Sequence, residues 1–154
     1  MILAVDVGNS NTTVGLFNGT GELLFRALLE TSRSKTRDQC AIELLGVFQL
    51  YGADACTVDG AILSSVVPPL TTIFTDAIAR LTGIPPMVVG PGIRTGLNIK
   101  AEIHNQLGSD IVASSVAAIA KYPSPIVMVD MGTATSLSLI VGSVYEGCII
   151  MPGL

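Results

Sequence analysis

One phrase occurs twice, and it limits the architectures open to this chain. Leu3-Ala4-Val5-Asp6-Val7-Gly8-Asn9-Ser10-Asn11-Thr12-Thr13 returns as Val127-Met128-Val129-Asp130-Met131-Gly132-Thr133-Ala134-Thr135-Ser136. In each copy an apolar run ends in Asp-x-Gly. Short hydroxyl or amide side chains follow, and then a second apolar run begins (Val14 to Phe17; Leu137 to Val141). Runs of this length bounded by turn residues read as strands, so each copy is a β-hairpin. A chain with one such hairpin in each half has two loops able to face each other across a cleft. Such a cleft suits the phosphates of a nucleotide.

The segments between the copies extend the pattern. Ile2 to Asp6, Thr12 to Asn18 and Leu23 to Leu29 read as three strands, with Gly19-Thr20-Gly21 turning the chain. A helix is expected from about Arg37 to Tyr51, with Ala41, Leu44, Leu45 and Phe48 at helical spacing and Gly52 as its stop. Val58 to Val67 reads as a strand. Pro68 and Pro69 suit the first turn of a helix that buries Leu70, Ile73, Phe74, Ala77, Ile78 and Leu81 and stops at Gly83. Met87 to Val89 is a short strand, followed by a long loop through Gln106. A helix over Ser109 to Lys121 would place Val112, Val116, Ile119 and Ala120 on one face. Strands at 126–130, 134–141 and 144–150 restart the first pattern. The order predicts a duplicated α/β architecture whose second copy stops where its own helices should start.

Composition narrows the class. The chain has 154 residues, 49% apolar and 13% charged, so it is core-rich and globular. A chain of this size buries roughly 68–70% of its extended surface. So low a charge points to apolar surface covered by another chain or by further sequence. The net charge of −4 and pI near 4.7 argue against nucleic-acid binding, which needs a basic face. No apolar stretch approaches the roughly 18 residues of a membrane span, and Asp6 interrupts the N-terminal run, so no membrane partner or signal peptide is expected. Cys40, Cys56 and Cys148 are scattered, as in a cytoplasmic protein with reduced thiols.

In each Asp-x-Gly turn the glycine lets the backbone bend and lets a phosphate approach main-chain N–H groups. Asn9, Ser10, Asn11 and Thr12 add donors without filling the space; Gly132, Thr133 and Thr135 offer a similar set. Asp6 would repel phosphate directly, so its chemistry is to hold Mg²⁺ or its waters. Asp130 suits a cation or the orientation of its hairpin. A plain β-turn remains the alternative for each copy. No Walker A loop and no GxGxxG is present. Asp110 stands at a helix start, where it either caps the helix or acts as a general base toward an alcohol in phosphoryl transfer. His104 is the only histidine and reads as a solvated loop residue. Arg94 reads as an anion-steering or merely exposed arginine. Arg33, Lys35 and Arg37 read as a nucleotide-side basic patch or a solvated helix start. Ser64-Ser65 reads as cleft lining or a satisfied hydroxyl pair.

The chain resembles the type III pantothenate kinases, the Bvg accessory factor-like family within the ribonuclease H-like actin, acetate-and-sugar-kinase and Hsp70 superfold. The resemblance rests on Asp6 to Thr13, Thr36-Arg37-Asp38-Gln39, Ser64-Ser65-Val66-Val67-Pro68, Val89 to Leu97, and Asp130-Met131-Gly132-Thr133-Ala134-Thr135. It implies an N-terminal ribonuclease H-like domain over 1–122 and the start of a second over 123–154. It implies ATP-dependent phosphorylation of pantothenate to 4'-phosphopantothenate, the first step of coenzyme A biosynthesis, in a cytoplasmic homodimer. Asp6, Val7, Gly8, Asn9, Ser10, Asn11, Thr12 and Thr13 would hold ATP phosphates and Mg²⁺, and Thr133 would be a second ATP contact. Asp130 would match the ligand of a monovalent cation, K⁺ or NH₄⁺. Asp110 would be the proton acceptor, and Gly108, Ser109, Asp110 and Ile111 would meet the acceptor substrate, pantothenate or a related small hydroxy acid.

The sequence departs from the family pattern on the acceptor side. Gly-Ala-Asp-Arg is Gly108-Ser109-Asp110-Ile111 here, so the arginine that would pair with the substrate carboxylate is absent. Losing such a charge-assisted bond costs about 1.5–3 kcal/mol, at least about tenfold in affinity. Ala101 replaces a tyrosine, and His104-Asn105-Gln106 replaces Pro-x-Glu. The rival expectations are a homologue with an altered or inactive acceptor site that serves as a nucleotide-binding regulatory protein and, more weakly, another phosphotransferase or a polyphosphate-type phosphatase of the same superfold.

Overall fold

A computed structural model describes residues 1–90, 93–99 and 107–153. Its contacts form two compact units, Met1–Val89 and Gly90–Leu154.

The first unit is built on a five-stranded sheet in the order β3-β2-β1-β4-β5. β1 (Ile2–Val7), β2 (Asn11–Phe17) and β3 (Leu23–Glu30) form an antiparallel meander. β4 (Gly60–Ser65) lies parallel to β1 on its other side, and β5 (Met87–Val88) parallel to β4. α1 (Arg37–Leu50) and α2 (Pro68–Thr82) supply the layer over one face. α1 begins with a reciprocal cap. The Gln39 N–H donates to the Thr36 hydroxyl, and the Thr36 N–H donates to Gln39 Oε1 at 2.8 Å. Pro68 and Pro69 open α2, and Gly83 ends it at φ 76°, a left-handed conformation that favours glycine.

Strand alternation decides which side chains meet the helices. Leu3, Val5 and Val7 of β1, Val14 and Leu16 of β2, and Leu63 of β4 are buried with Leu44 and Phe48 of α1 and Leu70 and Phe74 of α2. The opposite face carries Ile2, Ala4 and Asp6. The face of α1 in the core is formed by Cys40, Leu44, Val47 and Phe48. Leu45, expected inside, is exposed, as is Ile42. A single-turn 3-10 helix, Ala55–Thr57, capped by Asp54, occupies part of the segment ahead of β4.

The second unit holds a four-stranded sheet in the order β6-β9-β8-β7. β7 (Ile126–Met131), β8 (Ala134–Val141) and β9 (Val144–Pro152) are an antiparallel meander like the first. β6 (Asn98–Ile99) pairs parallel with Val144 and Tyr145, inside the segment expected to be all loop. α3 (Ser109–Lys121) packs here through Ile111 and Ala118, against Ile126, Ile140 and Tyr145. Ser115 is also buried on that side, so the core face of α3 centres on 111-115-118; of the expected Val112, Val116, Ile119 and Ala120, Ile119 packs against this core and Ala120 is exposed. The two compact units meet at Val89 and Gly90, and α3 packs within the second unit's core.

Candidate functional site

The first Asp-x-Gly turn is built by the end of β1 and the start of β2. Asp6 is in register with Thr13 on β2 and Ser64 on β4, so two hydroxyl side chains flank it on one face of the sheet. Asp6 is exposed, whereas Ser64 is buried. The three-residue loop Gly8-Asn9-Ser10 closes through the Gly8 N–H donating to the Asn11 carbonyl at 3.0 Å. Gly8 is required by that close approach, because a Cβ there would lie 2.9 Å from the same carbonyl oxygen. Its φ is not positive, so the need is for space and not for a left-handed backbone. Asn9, Ser10 and Asn11 are exposed at the tip.

Two residues of this expected binding run face elsewhere. Val7 is fully buried, and Thr12 is 1% exposed on the helix-covered face, opposite Asp6. The Thr12 hydroxyl lies 2.8 Å from that of Thr31. Any service of Val7 or Thr12 to a ligand therefore runs through the main chain. Ser65 bonds locally, its hydroxyl 3.2 Å from both the Val67 N–H and the Val67 carbonyl, ahead of α2.

The second Asp-x-Gly turn is tighter. Asp130 is half-buried and in register with Ser136, on the face of β7 that α3 covers. The loop is Gly132-Thr133 alone, closed by the Gly132 N–H donating to the Ala134 carbonyl at 3.0 Å. A Cβ on Gly132 would find ordinary room, 3.6 Å from the nearest backbone oxygen. The crowded position is Gly153, where a Cβ would meet the Thr133 and Gly132 carbonyl oxygens at 2.5 and 2.6 Å.

Gly108 is the N-cap of α3 and offers it no side-chain hydrogen bond. Asp110, half-buried in the first turn, accepts a bond from the Ile111 N–H at 2.8 Å. A carboxylate in that place is favoured by the helix dipole by about 0.3–1 kcal/mol. Beneath it, Tyr145 is fully buried, its hydroxyl 2.8 Å from Ser138 Oγ. Burial pushes the Tyr145 phenol up to about 12, with Cys148 and the Asp110 charge adding to the rise and the Ser138 bond opposing it. Ile111, on the acceptor run, points into the apolar core at 9% exposure.

Of the basic residues, Lys35 is engaged. Its Nζ donates to the Glu30 carbonyl at 2.5 Å and pairs with Glu43 at 2.9 Å. Arg33, Arg37 and Arg94 are exposed. Ala101 and His104 to Gln106 lie outside the described residues. Among the described residues no three His, Cys, Asp or Glu side chains gather as a metal site. One exposed carboxylate between hydroxyls matches a hard cation held mainly by water and phosphate oxygens, which is the habit of Mg²⁺.

The family model described as type III pantothenate kinase matches residues 2–154. The chain belongs to the type III pantothenate kinase family. It is 40% identical over 155 residues to the type III pantothenate kinase of Listeria monocytogenes, aligning along all of this chain and 60% of that one. The chain thus spans about three fifths of the length of the curated relatives it matches. Among solved structures it resembles one described as a Baf family transcriptional activator of Campylobacter jejuni, at TM-score 0.54 and 20% identity over 99% of this chain and 55% of that one. It also resembles the ethanolamine utilization protein EutJ of Carboxydothermus hydrogenoformans, at TM-score 0.53 and 14% identity over 98% and 51%. These likenesses carry the fold, which is the actin-like α/β superfold expected from the sequence.

Sequence reasoning missed Thr31. It lies just past β3, 19 residues from Thr12, and no local motif links the two. The displaced core face of α3 was also missed, and with it the burial of Ile111. Ile111 precedes Ser115 and Ala118 by four and seven positions, a usable stripe that the more strongly apolar Val112-Val116-Ile119 set outweighed.

Proposed function

We propose that the whole protein transfers the γ-phosphoryl group of ATP to the hydroxyl of pantothenate, giving 4'-phosphopantothenate and ADP, as a cytoplasmic homodimer. Membership of the family along residues 2–154 carries this reading, and the exposed Asp6 beside Thr13 and Ser64 supplies fitting chemistry. The names of the matched relatives favour the kinase over a nucleotide-binding regulator.

The turn Gly8 to Asn11 would meet the phosphates with main-chain N–H groups and the Asn9, Ser10 and Asn11 side chains. Val7, Thr12 and Thr13 would complete that run, the first two through their main chain. Asp6 would hold Mg²⁺ through water, and the metal would neutralise charge on the transferring group. Thr133 would add a second ATP contact. Asp130, in register with Ser136, would bind K⁺ or NH₄⁺. In the transfer, the bond from the γ-phosphorus to the bridging oxygen breaks and ADP leaves. The acceptor oxygen bonds to phosphorus, and its proton passes to the Asp110 carboxylate. Gly108, Ser109 and Ile111 would border the acceptor, with Ile111 acting as packing beneath Asp110 and offering no charge to a carboxylate.

The test is release of ADP by the full-length protein with ATP, Mg²⁺, K⁺ and pantothenate. Pantothenate-dependent release that falls when K⁺ is replaced by Na⁺ is expected. A folded protein that releases no ADP at millimolar pantothenate would reject this substrate.

A further inference from the structure

The first hairpin turn is tied from outside itself. The β2–β3 pairing reaches Asn11 and Glu30, and one further bond continues it, from the Thr31 N–H to the Ser10 carbonyl at 3.0 Å. The Thr31 hydroxyl then meets that of Thr12 at 2.8 Å. Thr12 is 1% exposed, and a buried hydroxyl requires a partner. One residue thus grips the turn twice, at the carbonyl of Ser10 and at the side chain of Thr12. The exposed tip, Asn9 to Asn11, lies between this grip and the Gly8 to Asn11 closure.

The grip has a fixed base. Lys35 donates to the carbonyl of Glu30, the residue before Thr31, and pairs with Glu43 on α1 while mostly shielded from water, at 15% side-chain exposure. Its own N–H donates to the Ser32 carbonyl at 3.2 Å. Thr36 then starts α1 through its reciprocal cap with Gln39. A continuous set of bonds therefore runs from α1 through Lys35 and Thr31 to the turn.

We propose that Thr31 is a positioning residue that holds the Gly8 to Asn11 turn in the shape that receives nucleotide phosphates. The nucleotide part rests on the function proposed above; the mechanical part does not. A turn that must present several N–H groups to one anion gains affinity when it is held in that shape before binding. Thr31 does so without touching the ligand, from the face of the sheet opposite Asp6.

The test has two arms. In the first, amide hydrogen exchange is measured on the 154-residue chain without nucleotide. Thr31→Val removes the hydroxyl at nearly constant volume. It should speed exchange at Gly8 and at position 31 about fivefold, the loss of one modest hydrogen bond, while the Gly83 amide at the end of α2 is unchanged. Thr31→Ser should restore the slow rates. Thr12→Val removes the same bond from the other side and should reproduce the pattern, which covers the case in which Thr31→Val does not fold. In the second arm, the full-length protein should bind ATP about fivefold more weakly as Thr31→Val, with pantothenate affinity unchanged and recovery in Thr31→Ser. Unchanged exchange at Gly8, or equal acceleration throughout the sheet, would overturn the proposal. If the unaltered protein binds no ATP, the function proposed above fails, and the exchange arm still decides whether Thr31 grips the turn.

Discussion

The two sheets begin with the same strand and bury opposite faces of it. In β1, Leu3, Val5 and Val7 are at most 2% exposed beneath α1 and α2, and Ile2 on the other face is 44% exposed. In β7 the matching residues, Val127, Val129 and Met131, are 65%, 54% and 74% exposed, whereas Ile126 is at 9% beneath α3. Both strands are apolar on both faces, the composition of a strand meant to be covered twice. Alternation therefore fixes which residues share a face but not which face is buried. That choice falls to the helices: α1 and α2 follow the first meander, and α3 precedes the second. Asp6 accordingly stands on an open face of its own sheet, and Asp130 on a covered face of its own.

Truncation at equivalent positions should break this symmetry most sharply. Leu3→Ala should cost about 2–5 kcal/mol, because it empties a closed core. Val127→Ala in the same 154-residue chain should stay within about 0.5 kcal/mol. Urea unfolding of the two variants measures both, and equal losses would mean that the second sheet's outer face is packed as well. The turn glycines give a smaller contrast. Gly8→Ala should cost about 1–3 kcal/mol through its clash with the Asn11 carbonyl, and Gly132→Ala less than about 1 kcal/mol. Melting temperatures of the pair read this difference. The smallest effect is confined to the second core. Tyr145 titrates at about 12 when folded, above its ordinary value of 10. The folded state thus holds a proton that the unfolded chain releases, so stability is intact below about pH 10 and falls as pH rises toward 12. Tyr145→Phe should flatten that alkaline loss while weakening the protein slightly at neutral pH, because Ser138 loses its partner. Unfolding free energy measured from pH 8 to 12 checks the sign.

The repeat made most of the fold legible. Turn residues bounded the strands, and Pro68, Gly52 and Gly83 marked helix ends by backbone chemistry that is local and strong. The face of a helix was less secure where apolar residues occur nearly all round it. Cys40 and Val47 took core places in α1 while Ile42 and Leu45 stayed outside, and Ile111 displaced Val112 in α3. At the candidate site, the Asp-x-Gly phrase marked where the turn forms but did not separate its hydroxyls. Period-two alternation already separates Thr12 from Thr13 and places only Thr13 with Asp6. The partner of Thr12 was beyond reach, because the contact with Thr31 exists only once β2 and β3 are in register.

On the function proposed above, Asp6 and Asp130 each have a part in the phosphoryl transfer. Formation of 4'-phosphopantothenate by the full-length protein, followed by phosphorus NMR, tests it in three forms: unaltered, Asp6→Asn and Asp130→Asn. The unaltered protein should make the product. Asp6→Asn should slow it roughly a hundredfold or more at saturating Mg²⁺, and Asp130→Asn should abolish the response to K⁺. Product formed equally well by all three would contradict the account.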